Sequence, residues 1–371
     1  MTDQELLQQT LAAIRPADQN AMEAARARQD SLAKPPRSLG KLETMSIRLA
    51  GVTGQVHNTV DVRRIVVFAA DNGVCAQGVS SAPQSVTLAQ TINLTRGLTG
   101  ASSLAKHFGD QLRVVDVGVM TDVPVPAVWD RKVAYGTRDL SQEPAMTREQ
   151  ALRALCAGIE QAALAKQDGV RVLGVGEMGI GNTTTSSAVL AALTGAEPES
   201  VTGRGGGLVD AMFEKKKAVI REALALHTPD PHDPLDVLSK VGGLDLCAMC
   251  GLFLGAARER IPVVIDGFIS AVAALCAARL CPDARDCMFP SHQSFEVGFR
   301  LAMDELGLEP YLLLDMRLGE GSGCPLAFLT LEAACAVMNE MATFAEASIN
   351  DDYLAEVRQG DAFTVRRGEK G

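Results

Sequence analysis

The segment IVVFAADNG, residues 65–73, joins an apolar run of six residues to a polar turn that begins at Asp71. A short apolar run bounded by a turn is typical of a buried β-strand. The same pattern recurs at residues 112–117, which end at Gly118, at 170–175, which end at Gly176 and Glu177, and at 262–265, which end at Asp266. These four segments predict four strands.

Helical periodicity separates the predicted strands, at residues 147–167, 183–194, 208–226 and 245–260. Strands that alternate with helices predict an α/β fold with a parallel sheet and right-handed crossovers. Ligands of such sheets bind beyond the carboxyl ends of the strands. Because glycines and carboxylates follow these strands, we expect the active site at that edge.

Both ends of the chain are helical in pattern. Residues 5–33 carry apolar positions at helical spacing with a break at Pro16, and further helices are predicted at 41–55 and 326–344. We therefore predict a small helical domain built from residues 1–60 with 335–371, and an α/β catalytic domain at residues 61–334.

The composition narrows the class of ligand. The chain has 371 residues, is 47% apolar and 22% charged, and carries a formal net charge of −10, from 35 basic and 45 acidic residues. Nucleic-acid binders usually show a basic stripe, and here the basic residues cluster only at Lys215–Lys217. This favours a small phosphorylated metabolite over a polyanion.

The nine cysteines are scattered, and residues 1–30 do not resemble a signal peptide. An odd number of cysteines in a large chain without a leader predicts reduced thiols and a cytoplasmic protein. The apolar, uncharged stretches at residues 246–257 and 267–278 fall short of the ~18 residues needed to span a bilayer. Cys247 and Cys250 form a C-x-x-C inside an apolar helix without a partner pair, which predicts buried thiols and no metal site.

The segment GVGEMG, residues 174–179, matches the dinucleotide-binding fingerprint G-x-G-x-x-G. That fingerprint also requires an acidic residue about 20 positions on, after a second strand. Glu197 and Glu199 have this spacing but lie in a loop without a preceding strand. The alternative is a glycine turn that, with a helix beginning near Asn182 and Thr183, receives one phosphate group.

A second glycine-rich turn, GRGGG at residues 203–207, precedes the helix that carries Lys215–Lys217. Backbone amides and one inward lysine would complete an anion site. The alternative is a flexible loop beside a solvated basic helix face. The pairing with the first glycine turn favours the anion site.

A third glycine-rich turn, RLGEGSG at residues 317–323, contains a single carboxylate, Glu320. Flanking glycines let the backbone approach a ligand closely, so this carboxylate could act as a base, although a lone glutamate is usually a surface residue. His292, in PSHQS, could be catalytic, but Ser291 and Ser294 are more modest candidates as hydrogen-bond donors to a ligand.

Seven motifs together resemble the nicotinate-nucleotide–dimethylbenzimidazole phosphoribosyltransferase family, over residues 30–348 and in order. They are KPPRSLGKLE at 34–43, DNGV at 71–74, GVGEMGIGNTT at 174–184, DVLSKVGG at 236–243, DGFIS at 266–270, SHQS at 291–294 and RLGEGSG at 317–323.

The resemblance implies a Rossmann-like parallel sheet, a small helical domain from both chain ends and a homodimer. It also implies transfer of ribose 5-phosphate from nicotinate mononucleotide to 5,6-dimethylbenzimidazole, for the lower-ligand nucleotide of cobalamin, without a metal or other cofactor.

The resemblance also implies roles for individual residues. Glu320 corresponds to the catalytic base and Glu177 to a second carboxylate of the active site. The implied phosphate site comprises Gly176, Gly179, Asn182, Thr183, Gly203, Gly205, Gly206 and Lys216. The nicotinate and ribose side comprises Ser294, Ser291 and Asp266, and the base pocket comprises Gln90, Pro83, Met178 and Leu318. Arg37 stands where the family motif often has glycine, and Ala82 stands where the base pocket can be polar.

Overall fold

The computed structural model describes residues 1–354, and residues 355–371 of the predicted small domain lie outside the described residues. The described chain forms one parallel sheet with the strand order β3-β2-β1-β4-β5-β6. Its strands are β1 (Arg63–Ala70), β2 (Gln111–Gly118), β3 (Val128–Asp130), β4 (Val172–Met178), β5 (Val263–Ile265) and β6 (Met288–Pro290). The predicted α/β fold with a Rossmann-like parallel sheet is confirmed.

The four strands expected from apolar runs are β1, β2, β4 and β5, and β3 and β6 are additional. In the register of the central strand, Ile65 pairs with both Leu112 and Gly174. The strand order reverses between β1 and β4, and that switch point is where open α/β sheets bind their ligands. The strand order therefore predicts a ligand site near the carboxyl ends of β1 and β4.

The described residues form fourteen α-helices, none of them long and apolar enough to cross a membrane. They are α1 (Asp3–Ala13), α2 (Gln19–Ser31), α3 (Lys41–Thr53), α4 (Ser85–Thr95), α5 (Gly100–Phe108), α6 (Arg148–Gln167), α7 (Asn182–Thr194), α8 (Pro198–Val201), α9 (Asp210–His227), α10 (Pro234–Val241), α11 (Leu244–Glu259), α12 (Phe268–Leu280), α13 (Phe299–Leu306) and α14 (Cys324–Glu340). The helices predicted between the strands correspond to α6, α7, α9 and α11.

The chain divides into two compact units, one of Met1–Pro16 with Val62–Phe328 and the other of Ala17–Asp61 with the chain from Leu329 onward. This division differs from the predicted one at residues 329–334, which belong to the second unit, and at residues 1–16, because α1 packs on α6 and α11. Arg258 Nη1 of α11 donates to Thr10 Oγ1 at 3.5 Å. Sequence periodicity marks α1 as a helix but carries no information about its packing partner.

In the helical unit, Ala25, Ala50 and Met338 form a small buried core. A buried ion pair joins the two ends of the motif at residues 34–43, where Lys34 Nζ lies 2.7 Å from Glu43 Oε1. Arg37 has φ +61°, in the left-handed region that favours glycine. The loop keeps the glycine-type conformation although an arginine occupies the position.

Helices α6 and α11 of the α/β unit approach each other closely, with glycine at the crossing. A Cβ on Gly158 would lie 2.6 Å from the backbone nitrogen of Leu252 and would overlap the Ala248 carbonyl. Ala248 and Leu252 are fully buried, so neither backbone segment can move aside without disturbing the core.

Gly158→Ala is therefore expected to lower the free energy of unfolding by about 1–3 kcal/mol, since overpacking outweighs the gain in helix propensity. Urea denaturation measures this change. Ala163→Ser adds one heavy atom at a half-buried position of the same helix and serves as the control. Equal stability of the two variants would contradict the close packing.

Candidate active site

A cavity of about 250 Å³ lies at the carboxyl ends of β4, β5 and β6 in the α/β unit. Twelve of the residues singled out in the sequence line it: Gly176, Glu177, Met178, Gly179, Asn182, Thr183, Gly205, Gly206, Asp266, Ser294, Leu318 and Glu320. They come from separate segments of the chain, and the parallel sheet brings them to one edge.

Glu320 lies in a turn that carboxylates hold in place. Its φ is +63°, and its buried side chain accepts a hydrogen bond at Oε2 from the Ala101 N–H, at 3.2 Å. The backbone N–H of Glu320 donates to Glu177 Oε1 at 3.2 Å. Ala101 lies in the first turn of α5, where backbone N–H groups lack helical partners.

Asp266 holds the next part of the same turn. Its Oδ2 accepts the N–H of Gly321 at 3.0 Å, and its Oδ1 accepts the N–H of Gly323 at 2.6 Å. The left-handed conformation of Glu320 costs roughly 1–3 kcal/mol and persists only where surrounding contacts impose it. Asp266 and Glu177 supply those contacts, so both carboxylates position Glu320.

Gly176 is required by the close approach of this turn to β4. A Cβ at position 176 would lie 2.5 Å from the carbonyl oxygen of Glu320. The second glycine of the G-x-G-x-x-G pattern therefore admits the turn that carries Glu320.

Glu177 forms a buried polar cluster with Asn182 and Asp245. The side-chain nitrogen of Asn182 donates to Glu177 Oε2 and, at 3.2 Å, to Asp245 Oδ2. Burial first, and the negative charge of Asp245 second, raise the pKa of Glu177 to about 8. Burial likewise raises the pKa of Asp245 to about 6. Glu177 consequently carries a proton over much of the neutral range, at a position that lines the cavity.

This protonation makes stability depend on pH. Folding shifts the pKa of Glu177 from its ordinary 4.5 to about 8, so the folded chain binds more protons between these values. Stability therefore falls as pH rises through that window and levels off above it. We expect the melting temperature to fall from pH 5 to pH 8 and to fall less in Glu177→Gln, as differential scanning calorimetry measures.

Glu197→Gln, a change at an exposed carboxylate, is the control for that series and should leave the slope unchanged. Asp245 and Asp266, whose pKa values burial also raises, keep part of the slope in Glu177→Gln. Identical slopes in the wild type and Glu177→Gln would contradict a proton on Glu177.

Behind the cavity residue Thr183, Lys216 of α9 points inward. Its side chain is fully buried, and Nζ donates to Thr183 Oγ1 at 2.9 Å and to the Gly203 carbonyl at 3.1 Å. Its neighbour Lys217 instead pairs with Glu214 at 2.7 Å. Burial lowers the pKa of Lys216 to about 8. The Lys216 cation thus lies beside Thr183, at the amino end of α7, and beside the Gly205 turn, an arrangement that suits an anion.

Three residues that the sequence did not signal belong to this arrangement: Ala101, Asp245 and Glu296. Glu296 lines the cavity beside Gly205, and burial raises its pKa. Ala101 and Asp245 contribute through contacts with residues more than 60 positions away. Local motif patterns contain no signal of such contacts.

Five sequence candidates lie outside the cavity lining: Gly203, Lys216, Ser291, Gln90 and Pro83. The Gly203 backbone contacts Lys216, and Ser291 is fully buried. Gln90 accepts a hydrogen bond from Asn93 at 2.9 Å, and Pro83 is exposed on the chain next to the cavity residue Ala82. Their assigned roles stay predictions.

A dinucleotide site requires a second strand after the glycine turn, and the described residues do not form one there. Between α7 and α9 the described chain forms a loop and the short helix α8, with no second strand before the acidic residues. Glu199 pairs with Arg221 on α9. In this part of the described chain, no side chain corresponds to the acidic residue that would hold a dinucleotide ribose, and the anion site at the glycine turn stays a prediction.

Comparisons with known proteins agree with this geometry. A family model described as phosphoribosyltransferase matches residues 14–349. A nicotinate-nucleotide–dimethylbenzimidazole phosphoribosyltransferase from Clostridium perfringens is 52% identical over 360 residues, which cover 97% of this chain and 100% of the relative. The enzyme of that name from Chloroflexus aggregans is 52% identical over 347 residues, covering 93% and 98%.

A solved structure of the enzyme of that name from Thermus thermophilus superposes with a TM-score of 0.85, at 42% identity, covering 90% of this chain and 99% of that one. Family model, sequence relatives and structural neighbour agree over nearly the whole chain. The chain belongs to the nicotinate-nucleotide–dimethylbenzimidazole phosphoribosyltransferase family.

Proposed function

We propose that this protein transfers the 5-phosphoribosyl group of nicotinate mononucleotide to 5,6-dimethylbenzimidazole, giving α-ribazole 5′-phosphate and nicotinate for cobalamin synthesis. The observation that carries the proposal is that one cavity is lined both by the fixed carboxylate Glu320 and by Thr183, whose Oγ1 accepts a hydrogen bond from the buried Lys216. A base and a phosphate site are the two features that this transfer requires.

The bond between C1′ and the nicotinate ring nitrogen breaks, and a bond from C1′ to a ring nitrogen of the benzimidazole forms. The leaving pyridinium neutralises its own positive charge, so no acid is needed at that side. The acceptor loses its N–H proton, and we assign Glu320 as the base that takes it. Positive charge builds on the ribose near C1′, as in glycoside cleavage.

Direct displacement inverts the β configuration at C1′ to α, because the two bases approach opposite faces of the sugar. The phosphate lies far from C1′ and contributes binding energy that orients the ribose. Lys216, Thr183 and the glycine turns would hold it. Met178 and Leu318, on the Glu320 side of the cavity, offer apolar surface to the acceptor base.

The test mixes purified protein, nicotinate mononucleotide and 5,6-dimethylbenzimidazole in EDTA and follows both products by chromatography. Nicotinate release that requires the base supports the transferase. Binding of the mononucleotide without release across a panel of benzimidazoles, purines and phenols would replace the proposal with a nucleotide sensor.

The proposal includes a cytoplasmic homodimer. No disulfide bond is found among the cysteines of the described chain, as is usual in a reducing compartment. Phe295, Val297, Leu313 and Leu314 are exposed on two segments that hydrogen-bond to each other, and we propose that these apolar side chains contact a second subunit. Light scattering should give twice the 39.2 kDa chain mass, and the mass of one chain would exclude the dimer.

A further inference from the structure

His292 lines the cavity but has no part in the transfer described above. It follows β6 by two residues, at the carboxyl edge of the sheet, and its ring is 2% exposed. Burial lowers its pKa to about 4, so the ring is neutral near pH 7. A neutral imidazole has one donor nitrogen and one acceptor nitrogen.

The hydrogen bonds around Ser291 assign the tautomer. Ser291 Oγ donates its single proton to the carbonyl oxygen of Asp266 at 2.9 Å, because a carbonyl can only accept. The contact of 2.9 Å between Ser291 Oγ and His292 Nδ1 therefore has Nδ1 as the donor. The Asp266 carboxylate, 3.9 Å from Nδ1, favours the same proton position. Nε2 is left as an unprotonated acceptor.

The position of the ring directs Nε2 towards the cavity. Gly323 packs against the Nδ1 side, so closely that a Cβ there would overlap the ring nitrogen. Nε2 lies on the side of Gly267, where a Cβ would be 3.9 Å from Nε2 and 3.7 Å from Ser294 Oγ, and both Gly267 and Ser294 line the cavity. Among the hydrogen bonds of the described residues, none involves Nε2.

The substrate groups differ in what they can offer such an acceptor. Neither the nicotinate carboxylate nor a dianionic phosphate has a proton to donate near pH 7, and the benzimidazole N–H proton is assigned to Glu320. The hydroxyls of the ribose are donors. We propose that His292 binds the mononucleotide ribose, with Nε2 accepting a hydrogen bond from the 2′ or 3′ hydroxyl and Ser291 and the Asp266 carbonyl fixing its tautomer. This inference rests on the proposed function.

The test compares His292→Asn with the wild type on nicotinate mononucleotide and on its 2′-deoxy and 3′-deoxy analogues. The asparagine amide can replace Nδ1–H as donor to Ser291, but it does not reach the position of Nε2. The wild type should prefer the ribonucleotide over one deoxy analogue, and His292→Asn should reduce that preference in kcat/KM by about 10-fold. His292→Gln, whose amide oxygen reaches the Nε2 position, should restore part of it.

A purely structural role would lower kcat/KM for all three substrates by one factor, and an unchanged preference would overturn the proposal. If the variants do not fold, NMR of the wild type labelled with ¹⁵N at its five histidines decides the question. The expected result is a protonated Nδ1 and an Nε2 signal that moves with the mononucleotide but not with the analogue lacking the bound hydroxyl. A protonated Nε2 in the free protein would exclude the inference. Absence of transfer by the wild type would instead overturn the proposed function, and the NMR result would still stand.

Discussion

Glu320→Gln is expected to lower kcat about 10²–10⁴-fold while KM for nicotinate mononucleotide changes little, because only the proton transfer from the acceptor base depends on the carboxylate. The amide oxygen of glutamine can still accept the Ala101 N–H, and the backbone contact with Glu177 does not involve the replaced side chain. The turn should therefore keep its conformation. Steady-state kinetics with 5,6-dimethylbenzimidazole as the acceptor measures the effect.

Two measurements make the Glu320 result specific. A melting curve should show that Glu320→Gln is folded, and Glu305→Gln, at a carboxylate paired with Arg279 outside the cavity, should keep wild-type kinetics. A kcat for Glu320→Gln within a few-fold of the wild type would remove Glu320 from the role of base.

Lys216→Met is expected to raise KM for nicotinate mononucleotide about 10–100-fold, because a charged hydrogen bond to the phosphate is lost. The unphosphorylated riboside has no group for this site, so its kcat/KM should change little. Since the charged amine exists below its pKa of about 8, affinity of the wild type for the mononucleotide should fall as pH rises through that value. Lys216→Met should not show this dependence.

Lys215→Met is the matched control, because Lys215 is the adjacent residue of the same helix and is exposed. It should leave both substrates unaffected. Equal losses for the mononucleotide and the riboside in Lys216→Met would indicate a structural defect and would contradict a phosphate site at Lys216.

Much of the fold follows from local sequence patterns. The apolar runs that end in a glycine or a carboxylate predict β1, β2, β4 and β5, because a strand buried on both faces must be apolar along its length. β3 and β6 have three residues each, as β5 has, and the apolar runs used for the prediction did not include them. Pairing with neighbouring strands, rather than local preference, makes them strands.

The candidate site likewise contains some residues that local sequence patterns predict and others that only the tertiary structure reveals. The glycine turns and Glu320 were recognisable because close backbone approach requires glycine at defined positions. Of the three neighbouring lysines only Lys216 is fully buried, and it was recognisable as the inward one only through the resemblance. Asp245 and Ala101, by contrast, come from segments without a motif. They contribute through hydrogen bonds to residues far away in the chain, which a local pattern does not show.

The sequence by itself determined the class of fold, the edge of the sheet that carries the site and the family, because hydrophobic periodicity and glycine spacing are local properties of the chain. Only the tertiary structure decided which of these residues and helices contact one another. It placed Asp266 against the N–H groups of Gly321 and Gly323, Asn182 between Glu177 and Asp245, and α1 against α6 and α11. These contacts join residues far apart in the chain, and their burial shifts the pKa values of Glu177 and Lys216 towards neutrality. Desolvation depends on what surrounds a group in space, so no local stretch of sequence contains it.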